Sequence, residues 1–398
     1  MEAKVIDNQL FIALDGRIDT NNAAQVEKEI LGFLAENAGK TPVFDAARLE
    51  YISSAGLRVL MKVRKQTKKS ISVENVSPEV FEIFETTGFT EILEVQKALR
   101  QVSVEGCELI GSGGFGMVYR TDPETIVKVY NPGISLEEVR SERDTAQSVF
   151  LLGVPTAISY DVVRCGECYG VVYELLDAKT VAQIIDADPS RLQEMGQKSA
   201  KLLRQLHQIE VGEGKLPSRE ATMLEWLDKT APYLEPSEAE EIRRFICSIP
   251  KRSTFLHGDY NSKNIMVQGD EFVLIDLGDA TVGHPVFDVA GLVLPYLYLP
   301  KSALSAEEKR RLLGFPMEEA PKMWGVMCAT YFGLTDPAQV EAMASVVMPY
   351  AQMISSYQGA RRAGFQPDYM RSVNIPGLRQ RLLPLIRKAK PEDLAVFD

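Results

Sequence analysis

The chain has 398 residues, a formal net charge of -11, and 45% hydrophobic and 25% charged residues. This length suggests two or three domains with cores that need neither disulfide nor metal, and the acidic balance excludes a primary nucleic-acid binder, whose footprint is basic. Five cysteines, few and odd in number, fit a reducing cytosol.

The N-terminal stretch MEAKVIDNQLFIALDG has no long apolar core behind a basic start and is not a signal peptide. Within it NQLFIALDG alternates like a strand. NNAAQVEKEILGFLAEN carries apolar residues near the helical period, so that Ala24, Val26, Ile30, Leu31 and Leu34 can share one face. TPVFDA reads as a short buried strand, and SSAGLRVLMKVRKQTKK as a helix with its basic residues toward the C-terminal end, where the dipole favours them. ISVENV is a further strand. SPEVFEIFETTG is a helix opened by Ser77 as N-cap with Pro78 at the first helical position and ended by Gly88, and EILEV closes the series as a strand. The alternation predicts a small α/β domain over residues 1–100. The joining segment QKALRQVSVEG is not a Gly/Ser- or Pro-rich tether.

From residue 101 the pattern changes to a β-rich small lobe, about 101–176, and an α-rich large lobe, about 177–398. GSGGFGMVYR places Gly111, Gly113, Gly116 and Val118 in G-x-G-x-x-G-x-V, where glycines let backbone N–H groups approach phosphate oxygens. In TIVKVY, Lys128 stands in an apolar strand, a costly position unless its charge is paired. Either Glu142 or Glu138, one helical turn apart in the following helix, can be that partner. Cys165 and Cys168 form a single CxxC without nearby histidines, which reads as a hairpin turn rather than a zinc site. FLHGDYNSKNIMV sets Asp259 and Asn264 five residues apart, the D-x-x-x-x-N spacing of a kinase catalytic loop, in which the aspartate accepts the acceptor's hydroxyl proton and the asparagine binds magnesium. VLIDLGDA brings Asp276 out at the end of an apolar strand, a place for a Mg2+ ligand. The longest apolar run, residues 289–299, is too short for a bilayer and is interrupted by Pro295. It reads as a buried helix, and a cytoplasmic protein without a membrane segment is expected.

Each of these blocks has a bland alternative by itself; their common order carries the reading. The loop is His257-Gly258-Asp259, the metal motif is Asp276-Leu277-Gly278, no Ala-Pro-Glu follows, and GHPVFDVAGLV and LLRQLHQIE flank the site. Together these resemble the aminoglycoside phosphotransferase and choline kinase-like family over roughly residues 105–300. The resemblance implies a two-lobed α+β protein-kinase-like fold and an ATP- and Mg2+-dependent enzyme that moves the γ-phosphate to an alcohol group of a small molecule. It implies Asp259 as catalytic base, Asn264 and Asp276 as metal ligands, Lys128 with Glu142 on the phosphates, and backbone groups of Glu174 and Leu175 toward adenine. Asp288 would brace the catalytic loop or cap its own helix, and His207 and His257 are structural.

The block DAARLEYISSAGLRVL, with LDGRIDTNNA and FEIFETTGFTEIL, resembles the STAS domain of anti-sigma factor antagonists over nearly all of residues 1–98. That resemblance implies a protein partner and places a regulatory phosphoserine at Ser54, with Ser53 where the family carries aspartate. Ser54 or Ser53 can equally serve as a plain helix cap. Three readings follow: a small-molecule kinase with a STAS regulatory or docking module, a signalling protein whose kinase-like domain phosphorylates a protein serine such as Ser54, and a nucleotide-gated binding module.

Overall fold

In the computed structural model, which describes residues 1–6 and 8–398, the chain divides into two units, Met1–Ser103 and Val104–Asp398. In the first, β1 (Ala3–Ile6) pairs antiparallel with β2 (Gln9–Ile18), and β2, β3 (Thr41–Ile52), β4 (Ser72–Val76) and β5 (Glu94–Lys97) follow side by side in parallel. Parallel neighbours require crossovers, which α1 (Ala23–Glu36), α2 (Ser54–Thr67) and α3 (Pro78–Thr86) provide. The period-two pattern of β2 turns Leu10, Ile12 and Leu14 into the core, where Ile30, Phe44, Leu60, Val63 and Phe84 join them.

The face of α1 agrees with expectation at Val26, Ile30 and Leu34 and differs elsewhere: Ala23 and Phe33 join the core, while Ala24 is exposed and Leu31 is half-buried outside it. The helix begins at Ala23, so the stripe starts there and runs i, i+3, i+7. Ser77 caps α3 by accepting the Val80 N–H, and Gly88 follows the helix with φ 73.

The second unit opens with an antiparallel array of β6 (Glu108–Ser112), β7 (Gly116–Arg120), β8 (Thr125–Tyr130), β9 (Ser159–Cys165) and β10 (Cys168–Glu174), in the spatial order β9, β10, β8, β7, β6. Helix α4 (Leu136–Leu151) lies between β8 and β9 in the chain and packs on β9 and β10. Cys165 and Cys168 face each other across the β9–β10 hairpin and are free thiols, with Gly166 at φ 60 making the turn.

The rest is mostly helical. Its helices are α5 (Val181–Ala187), α6 (Leu192–Leu206), α7 (Arg219–Thr230), α8 (Pro236–Cys247), α9 (Val286–Val293), α10 (Ala306–Leu313), α11 (Ala320–Phe332) and α12 (Pro337–Arg362). Helix α6 packs on α11 and α9 on α12 around a core that includes Trp226, Phe255, Tyr296 and Phe315. Two short sheets interrupt them: β11 (Thr254–Leu256) with β14 (Thr281–Gly283), and the hairpin of β12 (Ile265–Gln268) and β13 (Glu271–Leu274), which Lys179–Thr180 extends by pairing with β12. They hold between them the loop 257–264 and the segment 275–280. Among the described residues, no helix is long and apolar enough to cross a membrane.

Candidate active site

The small-lobe sheet builds one wall of the site. Gly111, Val118, Lys128 and Val171 occupy directly opposed positions on four adjacent strands, so they form one row on one face of the sheet. The glycines of the turn serve different ends. A Cβ at Gly116 would lie 2.1 Å from the Val129 carbonyl oxygen, so this glycine lets β7 approach β8. A Cβ on Gly113 or Gly114 would meet nothing, and the Gly113 N–H donates to the Gly116 carbonyl at 2.9 Å, which leaves an open turn.

Lys128 links the two lobes. Its Nζ lies 2.7 Å from Glu142 Oε1 on α4 and 2.9 Å from Asp276 Oδ1. Burial opposes its charge, but the two carboxylates outweigh burial and raise its pKa. Glu138 is occupied elsewhere: it forms a capping box with Ser135 at the start of α4. A Cβ at Gly278 would come within 3.1 Å of the Glu142 side chain, a contact that only a shift of Glu142 would relieve. The metal motif and α4 therefore touch.

Asp276 takes a left-handed backbone, φ 61 and ψ 61, a conformation that costs energy for a non-glycine residue and is found mostly where function demands it. Burial pushes its carboxyl up, but the Lys128 charge outweighs burial and the pKa falls below the ordinary value. Asn264 donates from Nδ2 to the Asp259 carbonyl oxygen at 2.9 Å and to Asp259 Oδ2 at 3.1 Å. Its side-chain oxygen is therefore the atom left to face the cleft. Burial, with the Asp276 and Asp279 carboxylates nearby, pushes the Asp259 carboxyl up against the opposing effects of His257 and the Asn264 hydrogen bond.

Asp288 sits beneath this loop, 2% exposed. Its carboxylate accepts the N–H of His257 and of Gly258, each at 2.8 Å, and lies 3.3 Å from His207 Nε2. It braces the loop and does not cap its own helix, which begins without a side-chain cap. His207 also meets the Tyr331 hydroxyl at 2.6 Å, and His257 is fully buried. Gly258 has φ 85, and a Cβ there would lie 2.0 Å from the Asp279 carbonyl oxygen. The Arg219 guanidinium donates to that same carbonyl at 2.9 Å and to Thr281 Oγ1 at 3.1 Å, so it ties the metal-motif segment to α7.

Glu174 ends the strand that leads out of the small lobe, Leu175 follows it, and both amides are bonded within the protein. The Glu174 N–H donates to the Ile158 carbonyl and the Leu175 N–H to the Glu124 carbonyl, at 3.0 and 2.7 Å. Their amides are in use, whereas that of Leu176, which the sequence does not single out, carries no such bond among the described residues. In the first unit, Ser53 rather than Ser54 caps α2: its hydroxyl accepts the Ala55 N–H at 3.2 Å and the Gly56 N–H at 3.5 Å. Ser54 is the first helical residue and is exposed.

Comparison with known proteins gives two family matches. Residues 107–324, more than half of the chain, match the phosphotransferase enzyme family, and residues 1–102 match the STAS domain. Over 93 residues, 23% of this chain and 79% of the other, the sequence is 39% identical to a protein assigned as the anti-sigma factor antagonist BtrV of Bordetella bronchiseptica. Among solved structures it is similar to a choline/ethanolamine kinase family protein of Mesorhizobium loti (14% identity, 73% of this chain and 92% of that one, TM-score 0.43). It is also similar to APH(2")-IIa in complex with gentamicin (15% identity, 80% and 99%, TM-score 0.44). A third is the amicoumacin kinase hAmiN with AMP-PNP and Ca2+ (14% identity, 77% and 94%, TM-score 0.45).

Proposed function

The chain belongs to the phosphotransferase enzyme family, and we propose that its second unit transfers the γ-phosphate of ATP, taken up with Mg2+, to a hydroxyl of a small molecule. The observation that carries this reading is the ion-paired chain from Glu142 through Lys128 to Asp276, set in the same cleft as the Asp259–Asn264 pair. A buried ammonium held by two carboxylates is poised to exchange one of them for phosphate oxygens.

In this reading Asp259 accepts the proton of the attacking hydroxyl. Its raised pKa moves it toward the operating pH, where a general base works best. Asn264, held to Asp259 through its amide nitrogen, presents its side-chain oxygen, and Asp276 presents its carboxylate. These two hard oxygen donors fit Mg2+ and would be the residues that hold it. When bound, the ion would neutralise charge on the phosphates. The Gly113–Gly114 turn covers the phosphates, Leu176 N–H is the amide available to adenine, and Asp288 keeps the base in place. The STAS unit is a regulatory or protein-docking module.

The test is ADP release by the full chain with ATP, Mg2+ and a panel of hydroxyl compounds. Turnover should depend on one acceptor class and vanish with chelator, and Asp259→Asn should lower kcat by about 10²–10⁴-fold. Full turnover by that variant sinks the assignment. One observation favours a second reading, phosphorylation of a protein serine: Ser54 is exposed while Ser53 performs the cap. A phosphoryl gain on the intact chain, mapped to Ser54 and absent from Asp259→Asn, would select it.

A further inference from the structure

We propose that Arg361, at the C-terminal end of α12, is a positioning residue for the terminal phosphate: it clasps the tip of the Gly-rich turn to the metal-motif segment. The proposal rests on the phosphotransferase reading above. Arg361 lies outside residues 107–324, which the family match covers.

Five contacts lead to it. Arg361 Nη1 forms an ion pair with Asp279 Oδ1, three residues beyond Asp276. Its guanidinium carbon stands 5.5 Å from the centroid of the Phe115 ring, within range of a cation–π contact. Phe115 is the tip of the Gly-rich turn and is 41% exposed. The turn is braced from the opposite side, where the Asn131 N–H donates to the Phe115 carbonyl and Asn131 Nδ2 to the Gly114 carbonyl, both at 2.9 Å. Asp279 is likewise anchored from behind, through the bond from Arg219 to its carbonyl.

One side chain from a distant helix thus joins the two segments that must enclose a triphosphate. Gly113 and Gly114 have open space around them, so this part of the turn has little packing of its own to hold it down. The Lys128 charge is already shared between Glu142 and Asp276. Arg361 adds a second cation on the Asp279 side of the site. A planar guanidinium can stack on a ring and pair with a carboxylate at once, which an ammonium cannot do as well.

The experiment measures binding of Mg2+–AMP-PNP and of Mg2+–ADP to the full chain by calorimetry, for wild type, Arg361→Lys, Arg361→Met, Phe115→Leu and the Phe115→Leu/Arg361→Lys double variant. The expected result is a loss of about tenfold or more in AMP-PNP affinity for Arg361→Met, with ADP affinity changed far less, because the clasp acts where the third phosphate lies. Arg361→Lys and Phe115→Leu should each lose roughly two- to fivefold, and the double variant no more than the worse single. Equal losses for both nucleotides, or additive losses in the double variant, overturn the clasp. Arg361→Lys and Phe115→Leu are conservative changes at partly exposed sites, and their unchanged melting temperatures separate the effect from misfolding. A wild-type chain that binds neither nucleotide brings down the phosphotransferase reading itself, a different outcome from variants that match a binding wild type.

Discussion

Asp288 and Gly258 stand 30 residues apart in the chain, and the Asp288 carboxylate accepts the Gly258 N–H at 2.8 Å. The same carboxylate accepts the His257 N–H, so one buried charge orients the loop that carries Asp259. Burial pushes its pKa up, but its bond with His207 outweighs burial and keeps it ionised. Asp288→Ala leaves two inward-facing amides unpaired and should destabilise the second unit by about 3–5 kcal/mol. Asp288→Asn keeps one acceptor oxygen and should fall between. Urea unfolding of the three proteins checks the order.

The two kinds of glycine in the turn predict opposite signatures. Gly116→Ala drives a methyl toward the Val129 carbonyl and should cost about 1–3 kcal/mol of stability. Gly113→Ala meets no atom and should leave stability within about 0.5 kcal/mol, while weakening nucleotide binding where the backbone must approach phosphate. Melting curves set beside nucleotide titrations separate the two.

At the start of α2 the cap belongs to Ser53. Ser53→Ala should destabilise the first unit by about 1 kcal/mol, whereas Ser54→Ala should change it by less than about 0.5 kcal/mol. Chemical denaturation followed by a probe in the first unit reads this directly. Equal effects would mean that both hydroxyls contribute to the helix start.

His284 gives the second unit a pH dependence. It is 1% exposed, with Nδ1 accepting the Val286 N–H at 3.1 Å and its ring edge-on to Phe397. Burial, helped by Arg252, pushes its pKa down to about 4. Between about 6.5 and about 4 the unfolded chain therefore binds a proton that the folded chain refuses, and stability rises with pH. This stabilisation is fully present above pH about 6.5 and is lost as pH falls toward 4, by at most about 3 kcal/mol. His284→Asn, which can still accept the Val286 N–H but does not titrate, should flatten the slope of unfolding free energy over that window.

Local chemistry made much of the site legible in the sequence. Lys128, Asp259, Asn264 and Asp276 announce themselves by charge in or beside apolar strands and by short fixed spacings. The choice between Glu138 and Glu142 was legible too, since Ser135 and Glu138 have capping-box spacing, which commits Glu138 to the helix start. What could not be read is long-range. Nothing near Arg361 in sequence points to Phe115 or Asp279, which lie far earlier in the chain. Which amide beyond the small-lobe sheet lacks a backbone partner depends on the Glu124 carbonyl reaching Leu175, a contact between segments far apart in the chain. On α1 the inward positions Val26, Ile30 and Leu34 were legible, but Ala23 and Phe33 in place of Ala24 and Leu31 were not, since neighbouring residues point about 100° apart and packing selects between them.

Gly258 sets a limit on what can stand at its position. Its positive φ and the atoms crowding its α-carbon leave no room for a larger residue beside Asp259, so no arginine can be seated at that position without moving the Asp279 carbonyl and the Arg219 guanidinium that pack there.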